Sequence, residues 1–312
     1  MAEPTITTTY AGQFAGKYIS AALLSPSTID NGGVTVLPNV KFKEVLQNVA
    51  TSTLLANATC DFDAAGSTVT LTEKILTTND LQVNMQLCKS QFFNTWQSAE
   101  MGASQFSDLP KSFSDYLLGY VAGKVAAEME TTLWSGAAGA AGGLTDGGFT
   151  VLAAAQCPAS NIIAPAAVTA LNVIDELGKV VDALNAQTNI FGKEDTRIFV
   201  SRNVMAAYVR ALGGFAATGA NGVDNRGTMW YADGGGVSFD GVKLFMAEGL
   251  PNDTMLAAQI SNLYLGVSLL SDVSEAKVVP VYQYDGSDNV RVIYRMAAGC
   301  QIGVLEDIIL YA

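Results

Sequence analysis

The stretch 249-GLPNDTMLAAQISNLYLGVSLLSD-272 runs from a tight turn into a strand-like apolar run and ends among serines and an aspartate. It has the look of a site, yet between Asp253 and Asp272 it contains no charged side chain and no thiol. A catalytic segment would supply an acid, a base or a nucleophile. The stretch is therefore predicted to form an ordered surface with few reactive groups. The function of that surface has to be inferred from the rest of the sequence.

Composition indicates a well-folded, acidic protein. The chain has 312 residues, 49% of them hydrophobic, and a mean hydropathy of +0.27. This length predicts about two domains, since domains average roughly 150 residues, and the apolar fraction excludes a disordered chain. The formal net charge of −12 excludes a basic nucleic-acid reader, because neutralising phosphates needs clustered Lys and Arg.

The absence of histidine removes several classes of enzyme, among them the Ser-His-Asp triad, the Cys-His pair and His-based zinc sites. Three weaker sequence patterns also fall short of a ligand-binding or catalytic motif. The segment 12-GQFAGKY-18 is one residue shorter than a phosphate loop requires, and 61-DFDAAGSTVTLT-72 begins like a calcium loop but ends in threonine instead of glutamate. Adjacent Glu306 and Asp307 would lie on opposite faces of a strand. The sequence thus predicts no enzyme and no catalytic, cofactor-binding or metal-binding residue.

The cysteines match no paired metal-ligand motif, because they are spaced too far apart. There are four of them: Cys60, Cys88, Cys157 and Cys300. They are predicted to be buried, reduced thiols, since free cysteine packs as a small hydrophobe.

Residues 1–10 lack the basic start and apolar core of a secretory signal. The longest uncharged run, 147–174, is interrupted by prolines, so no membrane span is predicted.

The clearest helix is predicted from about Asp108 to Trp134. Ser107 or Asp108 can cap its start, and Pro110 falls in the first turn, where a missing N–H costs nothing. Gly136 and the Gly/Ala run after it should end the helix. Apolar residues recur at every fourth position and predict one broad buried face: Phe113, Leu117, Val121, Val125, Met129 and Leu133.

The region before this helix predicts extended structure. Residues 1–35 read as an arm that docks on something else, and 36–54 as a strand or short helix. The runs 67-STVTLTEKILTT-78 and 81-LQVNMQLCKSQFF-93 both suit strands. Because 79-ND-80 between them is a plausible turn, a long two-stranded hairpin or loop of these two runs is predicted.

The region after the helix predicts an α/β layer. Pro165 should open a helix, 196-TRIFV-200 should form a strand, and Ser201 should cap a helix over 202–212 that the 213-GG-214 pair stops. The first of these helices presents one apolar face: Leu171, Ile174, Leu177, Val181 and Leu184.

A β-rich end follows a glycine-rich loop over 213–241. Strands are predicted at 242–248 and 262–270. A hairpin is predicted over 277–296, with Asp-Gly at its turn, and a last strand over 300–312.

This order of elements resembles that of tailed-phage major capsid proteins of the Hong Kong ninety-seven-type fold. The resemblance covers nearly the whole chain and rests on element order rather than on an invariant motif. Five segments carry it: 16-GKYISAALL-24, 125-VAAEMETTLWSG-136, 198-IFVSRNVMAAYVRAL-212, 249-GLPNDTMLAAQISNLYLGVSLLSD-272 and 291-RVIYRMAAGCQIGVLEDIILYA-312.

The resemblance implies an α+β fold with a long spine helix in a peripheral domain and an α/β axial domain. It divides the chain as follows: an N-terminal arm over 1–35, an extended hairpin loop with peripheral strands over 36–95, the peripheral domain with the spine helix over 96–148, the axial domain over 149–275, and a returning hairpin and strand over 276–312.

The implied function is structural: a major capsid subunit that assembles into pentamers and hexamers of an icosahedral shell around viral double-stranded DNA. The implied partners are other copies of the chain, with scaffold, portal and decoration proteins, and the implied location is the virion, after assembly in the host cytoplasm. The arm starts close to Met1, so any scaffold is expected to be a separate protein. An encapsulin-like compartment of the same fold and an unrelated enzyme or carbohydrate-binding domain remain the alternatives.

Two further expectations follow from the resemblance. Some members of the family crosslink a hairpin lysine to a neighbour's asparagine. Lys74 and Asn79 lie in the expected hairpin, but the sequence supplies no partner geometry, and no crosslink is predicted. The 213–241 loop is expected to contact the same loop of neighbouring subunits around a capsomer axis, and so to resist proteolysis only in assembled particles.

Overall fold

The computed structural model describes most of the chain as a mixed α+β protein. The described residues are 27–51, 60, 69–88, 111–187, 192–217, 237–268, 276–281, 284, 286–287 and 289–312. The arm before residue 27 and the loop over 218–236 lie outside them. The motif over 12–18 and residues 61–68 of the second loop-like motif also lie outside them.

The helices of the described residues differ greatly in length. They are α1 (Ser27–Asp30), α2 (Lys111–Ser135), α3 (Phe149–Gln156), α4 (Val173–Ala186) and α5 (Arg202–Ala217). The strands are β1 (Thr35–Leu37), β2 (Lys43–Thr51), β3 (Val69–Thr77), β4 (Asn79–Cys88), β5 (Ile162–Ile163), β6 (Thr196–Val200), β7 (Ser238–Phe239), β8 (Val242–Met246), β9 (Met255–Gln259), β10 (Leu263–Val267), β11 (Ala276–Pro280), β12 (Asn289–Ile302) and β13 (Ile309–Tyr311).

The strands form two sheets and a separate hairpin. A five-stranded sheet is built around the long β12, which pairs antiparallel with β4, β10 and β11, while β1 joins β10 in parallel. A six-stranded sheet has the order β5-β13-β9-β6-β8-β7. The hairpin consists of β2 and β3.

The stretch 249–272 connects the two sheets. Its β9 belongs to the six-stranded sheet and its β10 to the five-stranded sheet, with a 3₁₀ turn over Ile260–Asn262 between them. Asn262 fixes this crossing, because its side-chain nitrogen donates to the Val304 carbonyl at 2.7 Å and its Oδ1 accepts from the Val304 N–H at 2.6 Å. The lack of reactive groups in this stretch thus has a structural explanation, because most of its described residues, 249–268, are buried.

The long helix α2 packs against the start of this stretch, at Gly249. A Cβ on Gly249 would collide with the Glu130 backbone and would come within 2.9 Å of the Trp134 ring, so the close approach requires glycine. Val121, Val125, Met129 and Leu133 are buried, which confirms the predicted stripe from Val121 onward. Gly136 follows the helix end at Ser135, as predicted.

Trp134 lies at the junction of the helices and the six-stranded sheet. Its ring is completely buried and packs against Phe149 and Phe199, with ring centroids 5.6 and 5.0 Å away. The indole N–H donates to the hydroxyl of Thr28 at 2.8 Å, and Thr28 in turn donates to Glu130. The buried indole N–H and the buried Thr28 hydroxyl are thus both hydrogen-bonded where α1 meets the long helix.

The predicted hairpin of 67–78 with 81–93 is wrong in its pairing. The two strands exist, but β3 pairs with β2, and β4 pairs with β12. Asn79 and Asp80 do not form a turn, because they start β4 and neither has the positive φ that a tight two-residue hairpin turn needs. Alternating polarity identifies a strand but not its partner.

The two predicted axial helices have different bounds in the structure. The first begins at Val173 instead of Pro165, and Leu171 and Ile174 are 96% and 39% exposed instead of buried. Tyr311 holds the preceding segment extended by accepting from the Ala166 N–H at 2.8 Å. Leu177, Val181 and Leu184 are buried as predicted.

The second axial helix, α5, continues to Ala217 and passes through the 213-GG-214 pair that was predicted to stop it. Glycine costs about 1 kcal/mol in a helix interior. The buried face of the helix, which includes Val204, Ala207 and Tyr208, offsets that cost by packing on the sheet. Strand 196–200, which precedes this helix, is confirmed.

The predicted last strand over 300–312 is two strands. Its first part completes β12, which ends at Ile302, and its last part is β13. Glu306 and Asp307 lie in the connection instead of in a strand, because Asn262 draws the backbone at Val304 into a turn. The 277–296 hairpin is confirmed, with β11 and β12 antiparallel.

Candidate assembly surfaces

The β2–β3 hairpin carries an apolar face that the described residues leave uncovered. Alternate residues of paired strands point to the same side, so the pairs Val45–Ile75 and Val49–Leu71 share one face. Val49 and Leu71 are 58% and 70% exposed, and Val45 and Ile75 are each 47% exposed. Val69 extends the same face toward the hairpin tip, and the Gln47–Glu73 pair interrupts it.

The base of the hairpin is anchored to the five-stranded sheet. Leu76, on the opposite face, is fully buried and packs on Gly266, where any side chain would collide with it. The side chain of Gln301 donates to the Ile75 carbonyl at 2.8 Å, and the Thr78 N–H donates to the Phe42 carbonyl at 3.0 Å. The hairpin therefore leaves the body of the subunit in a defined direction.

Such an arrangement is unusual for a protein that acts alone. An isolated two-stranded hairpin is marginally stable in water, and contiguous exposed apolar side chains mark contact surfaces. The β2–β3 hairpin combines both properties over nine paired positions. We conclude that its apolar face is the strongest candidate for an intermolecular contact in the described structure.

The two residues considered for crosslinking, Lys74 and Asn79, both bond within the subunit. The Lys74 ammonium donates to the Gln156 side chain at 3.1 Å. The Asn79 side-chain amide donates to the Gly143 carbonyl at 2.8 Å. Lys74 thus ties β3 of the hairpin to α3, and Asn79 ties the start of β4 to the glycine-rich turn before α3.

The other polar positions considered in the sequence do not converge on a site. Burial raises the pKa of Asp307, while nearby Lys193 acts in the opposite direction. No group of three or more His, Cys, Asp or Glu suited to a metal ion occurs among the described residues. Within the same residues, no helix is both long enough and apolar enough to cross a membrane.

The thiols occupy different environments. Cys300 is buried, and its Sγ donates to the Gly147 carbonyl at 2.8 Å. Burial raises the pKa of Cys300, and it raises the pKa of Cys157 to about 11. Cys60 is exposed, and Cys88 and Cys157 are half-buried, so the prediction that all four thiols are buried is correct only for Cys300.

These environments predict selective thiol reactivity. At about pH 8 an aromatic disulfide reagent should modify Cys60 rapidly, while Cys300 should react only after unfolding, because the thiolate is the nucleophile and burial suppresses it. Peptide mapping of the labelled native protein tests this. Labelling of Cys300 at the rate of Cys60 in folded protein would contradict the described packing.

A buried polar cluster fixes the start of helix α4. The hydroxyl of Tyr311 donates to Glu176 at 2.8 Å, and Lys179 pairs with the same carboxylate at 2.7 Å. The hydrogen bond from Lys179 lowers the pKa of Glu176, with burial opposing the effect and the Tyr311 hydroxyl supporting it. Asp253 accepts from the Val168 N–H at 3.0 Å, which ties the segment before α4 to the start of β9.

Glu176 predicts a pH-dependent stability. Its folded-state pKa lies below the ordinary carboxyl value of 4.5, so its contribution is present above that value and is lost as the pH falls through the folded-state pKa. The urea midpoint of wild-type protein should therefore drop between about pH 5 and pH 3. Glu176→Gln should lower the midpoint at pH 7 and flatten this drop, whereas the exposed-site control Glu194→Gln should change neither. A wild-type slope retained in Glu176→Gln would refute the assignment.

Comparison with known proteins supports a fold but gives no relative in sequence. No family model and no curated protein matches the chain. Among solved structures, the chain is similar to the capsid of a native GTA particle, with a TM-score of 0.57 and 14% identity over 100% of this chain and 95% of that chain. It is also similar to the chain of Microbacterium phage Oxtober96, with a TM-score of 0.56 and 14% identity over 100% and 93% of the two chains. The fold is that of the tailed-phage major capsid proteins.

A third solved structure extends the likeness. The satellite phage P4 procapsid, determined with its size determination protein, gives a TM-score of 0.53 at 11% identity over 95% of this chain and 96% of that chain. In all three comparisons the likeness covers nearly the full length of both chains. The Hong Kong ninety-seven-type capsid fold expected from element order is thus confirmed, although at these identities no residue role transfers.

Proposed function

We propose that the protein is the major subunit of a phage-type capsid shell and acts by assembling with copies of itself. The observation that carries this proposal is the uncovered apolar face of the β2–β3 hairpin on a chain with the capsid fold. An exposed apolar surface of this kind is stabilised by contact with a partner. In a shell, every subunit has a neighbouring subunit that can provide this contact. The protein is therefore proposed to be structural and not an enzyme, and to reside in the virion.

The domains suggested by the sequence have distinct roles in this proposal. The hairpin within 36–95 reaches over a neighbouring subunit. The region over 96–148, with its long helix, forms the peripheral domain. The hairpin and strand over 276–312 return to both the peripheral and the axial domains. The region over 149–275 forms the axial domain at the centre of pentamers and hexamers, where the 213–241 loop meets its counterparts.

Viral double-stranded DNA is the proposed content of the shell. The net charge of −12 would keep a concentrated polyanion from adhering to the wall. Scaffold, portal and decoration proteins are proposed partners, and assembly is proposed to take place in the host cytoplasm.

The experiment that tests this function is assembly of the purified chain. We expect sedimentation velocity and electron microscopy to show rings of five or six subunits, or closed shells, as the concentration rises, alone or with a co-expressed scaffold. A strictly monomeric protein across this range, with scaffold present, would contradict the proposal. Particles that enclose other proteins instead of DNA would contradict the proposed content.

A further inference from the structure

The strand β4 forms an edge of the five-stranded sheet. It pairs with β12 along its ten residues, from Asn79 to Cys88, and no strand of the described residues lies along its other side. In an antiparallel pair, alternate residues direct both the N–H and the C=O away from the partner strand. About half of the backbone groups of β4 therefore point outward, and such an edge is a template for a further strand.

The other edge strands of the described residues are protected in ways that β4 is not. β1, β5 and β7 contain only two or three residues each, and β11 carries Lys277 and ends in Pro280. β4 contains no lysine, proline or glycine, and Asp80 near its start is its one charged residue. The hairpin strands β2 and β3 carry several charged residues: Lys43, Glu44, Glu73 and Lys74. Among these edges, β4 is therefore the one that is open to strand addition over its whole length.

The two faces of β4 differ in polarity, and this sets the pattern that an added strand must match. The exposed side chains of one face include three amides: Gln82, Asn84 and Gln86. The side chains of the other face belong to the main apolar cluster or pack against it: Leu81, Val83 and Met85. A neighbouring strand thus needs polar residues at alternate positions, with apolar residues between them.

The segment 5-TITTTY-10 of the N-terminal arm has a sequence of this kind. Its even positions are Ile6, Thr8 and Tyr10, and its odd positions are all threonine. All of its residues are β-branched or aromatic, the types that favour strands, and none is charged. Residues 11–26, which join the segment to α1, can span about 50 Å when extended. That length exceeds the roughly 30 Å diameter of a small domain, so the segment can reach a neighbouring subunit.

We infer that residues 5–10 of one subunit add to β4 of a neighbouring subunit as a further strand. The inference rests on the proposed function and specifies a contact separate from the apolar face of the hairpin. Main-chain hydrogen bonds along β4 supply the affinity. Ile6 and Tyr10 extend the apolar side of the sheet beside Val83 and Met85, and the threonines lie beside the amides. An arm that meets an edge is a head-to-tail contact, which is the kind that rings use.

Hydrogen exchange of the β4 amides, followed by mass spectrometry of the full chain, tests this contact. The outward amides of 79–88 should exchange fast in free subunits and about tenfold slower in assembled particles, because an added strand bonds them. Thr8→Pro with Thr9→Pro should abolish this protection and raise the concentration needed for assembly roughly tenfold. Adjacent residues of a strand direct their N–H groups to opposite sides, so one of the two prolines must remove a donor to β4.

Gln13→Pro with Phe14→Pro is the matched control, because it places two prolines in the same arm outside the segment. It should keep both the protection of β4 and the wild-type assembly concentration. A Thr8→Pro with Thr9→Pro protein that never assembles, beside a control that does, would also support the contact, provided that β4 is protected in wild-type particles.

The inference is overturned if the outward amides of β4 already exchange slowly in free subunits, since the same chain would then cover the edge. It is also overturned if these amides exchange equally fast in free subunits and wild-type particles. Protection that survives Thr8→Pro with Thr9→Pro, or that the control loses as completely, would exclude residues 5–10 as the added strand. Shells that form in any of these cases leave the proposed function intact, whereas a wild-type protein that never assembles would overturn both.

Discussion

Val121→Asp is expected to abolish soluble folding. Val121 lies on the buried side of the long helix, within the main apolar cluster, and is 9% exposed. An aspartate there would bury an unpaired charge, which costs several kcal/mol and is comparable to the whole stability of a domain. Expression in the soluble fraction, followed by circular dichroism of any soluble protein, measures the effect.

Ala127→Asp is the matched control for this change. Ala127 lies on the exposed side of the same helix, so the same side chain enters the same element without burial. Its cost should stay below about 1 kcal/mol, which is the difference in helix propensity. Soluble, folded Val121→Asp protein with the stability of Ala127→Asp would show that this face of the helix is not part of the core.

The double change Val49→Glu with Leu71→Glu is expected to leave the subunit folded and to prevent its assembly. Both side chains are already largely exposed in the subunit, so folding loses little apolar burial. In a shell the two carboxylates would be pressed into an apolar contact, at a cost of several kcal/mol. The concentration needed for assembly should rise more than about a hundredfold, as measured by sedimentation velocity.

Asn48→Glu with Thr72→Glu is the control for the hairpin. These residues are the adjacent cross-strand pair and lie on the opposite face. The control adds the same charge to the same hairpin. Any difference in assembly between the two double variants therefore arises from the face that carries the charges and not from the added charge itself. Equal assembly of both double variants would show that the apolar face contacts nothing.

Local patterns in the sequence predicted local structure well. The buried positions from Val121 to Leu133 follow from one apolar residue at every fourth position. Strand 196–200 and the β11–β12 hairpin follow from apolar runs and turn residues. These elements are specified by neighbours in sequence, and so a single sequence contains the information needed to find them.

Features that depend on distant partners were not predictable in the same way. The true partner of β3 is β2, and the hairpin they form could be found only by matching Val45 and Val49 with Ile75 and Leu71 across a long connection. Leu171 looked like a core residue because its spacing suits a helix face, but Tyr311, far along the chain, keeps the preceding segment extended. The fold class could therefore be predicted from the order of elements in the sequence. The candidate contact surface could be identified only from the strand pairing in the structure.

A reconstruction of assembled particles at side-chain resolution tests the central claim most directly. The account predicts that the β2–β3 hairpin lies across a neighbouring subunit, with Val49 and Leu71 enclosed by its side chains instead of 58% and 70% exposed as in the single subunit. Particles in which both side chains of the hairpin face solvent, with no neighbouring chain in contact, would contradict it.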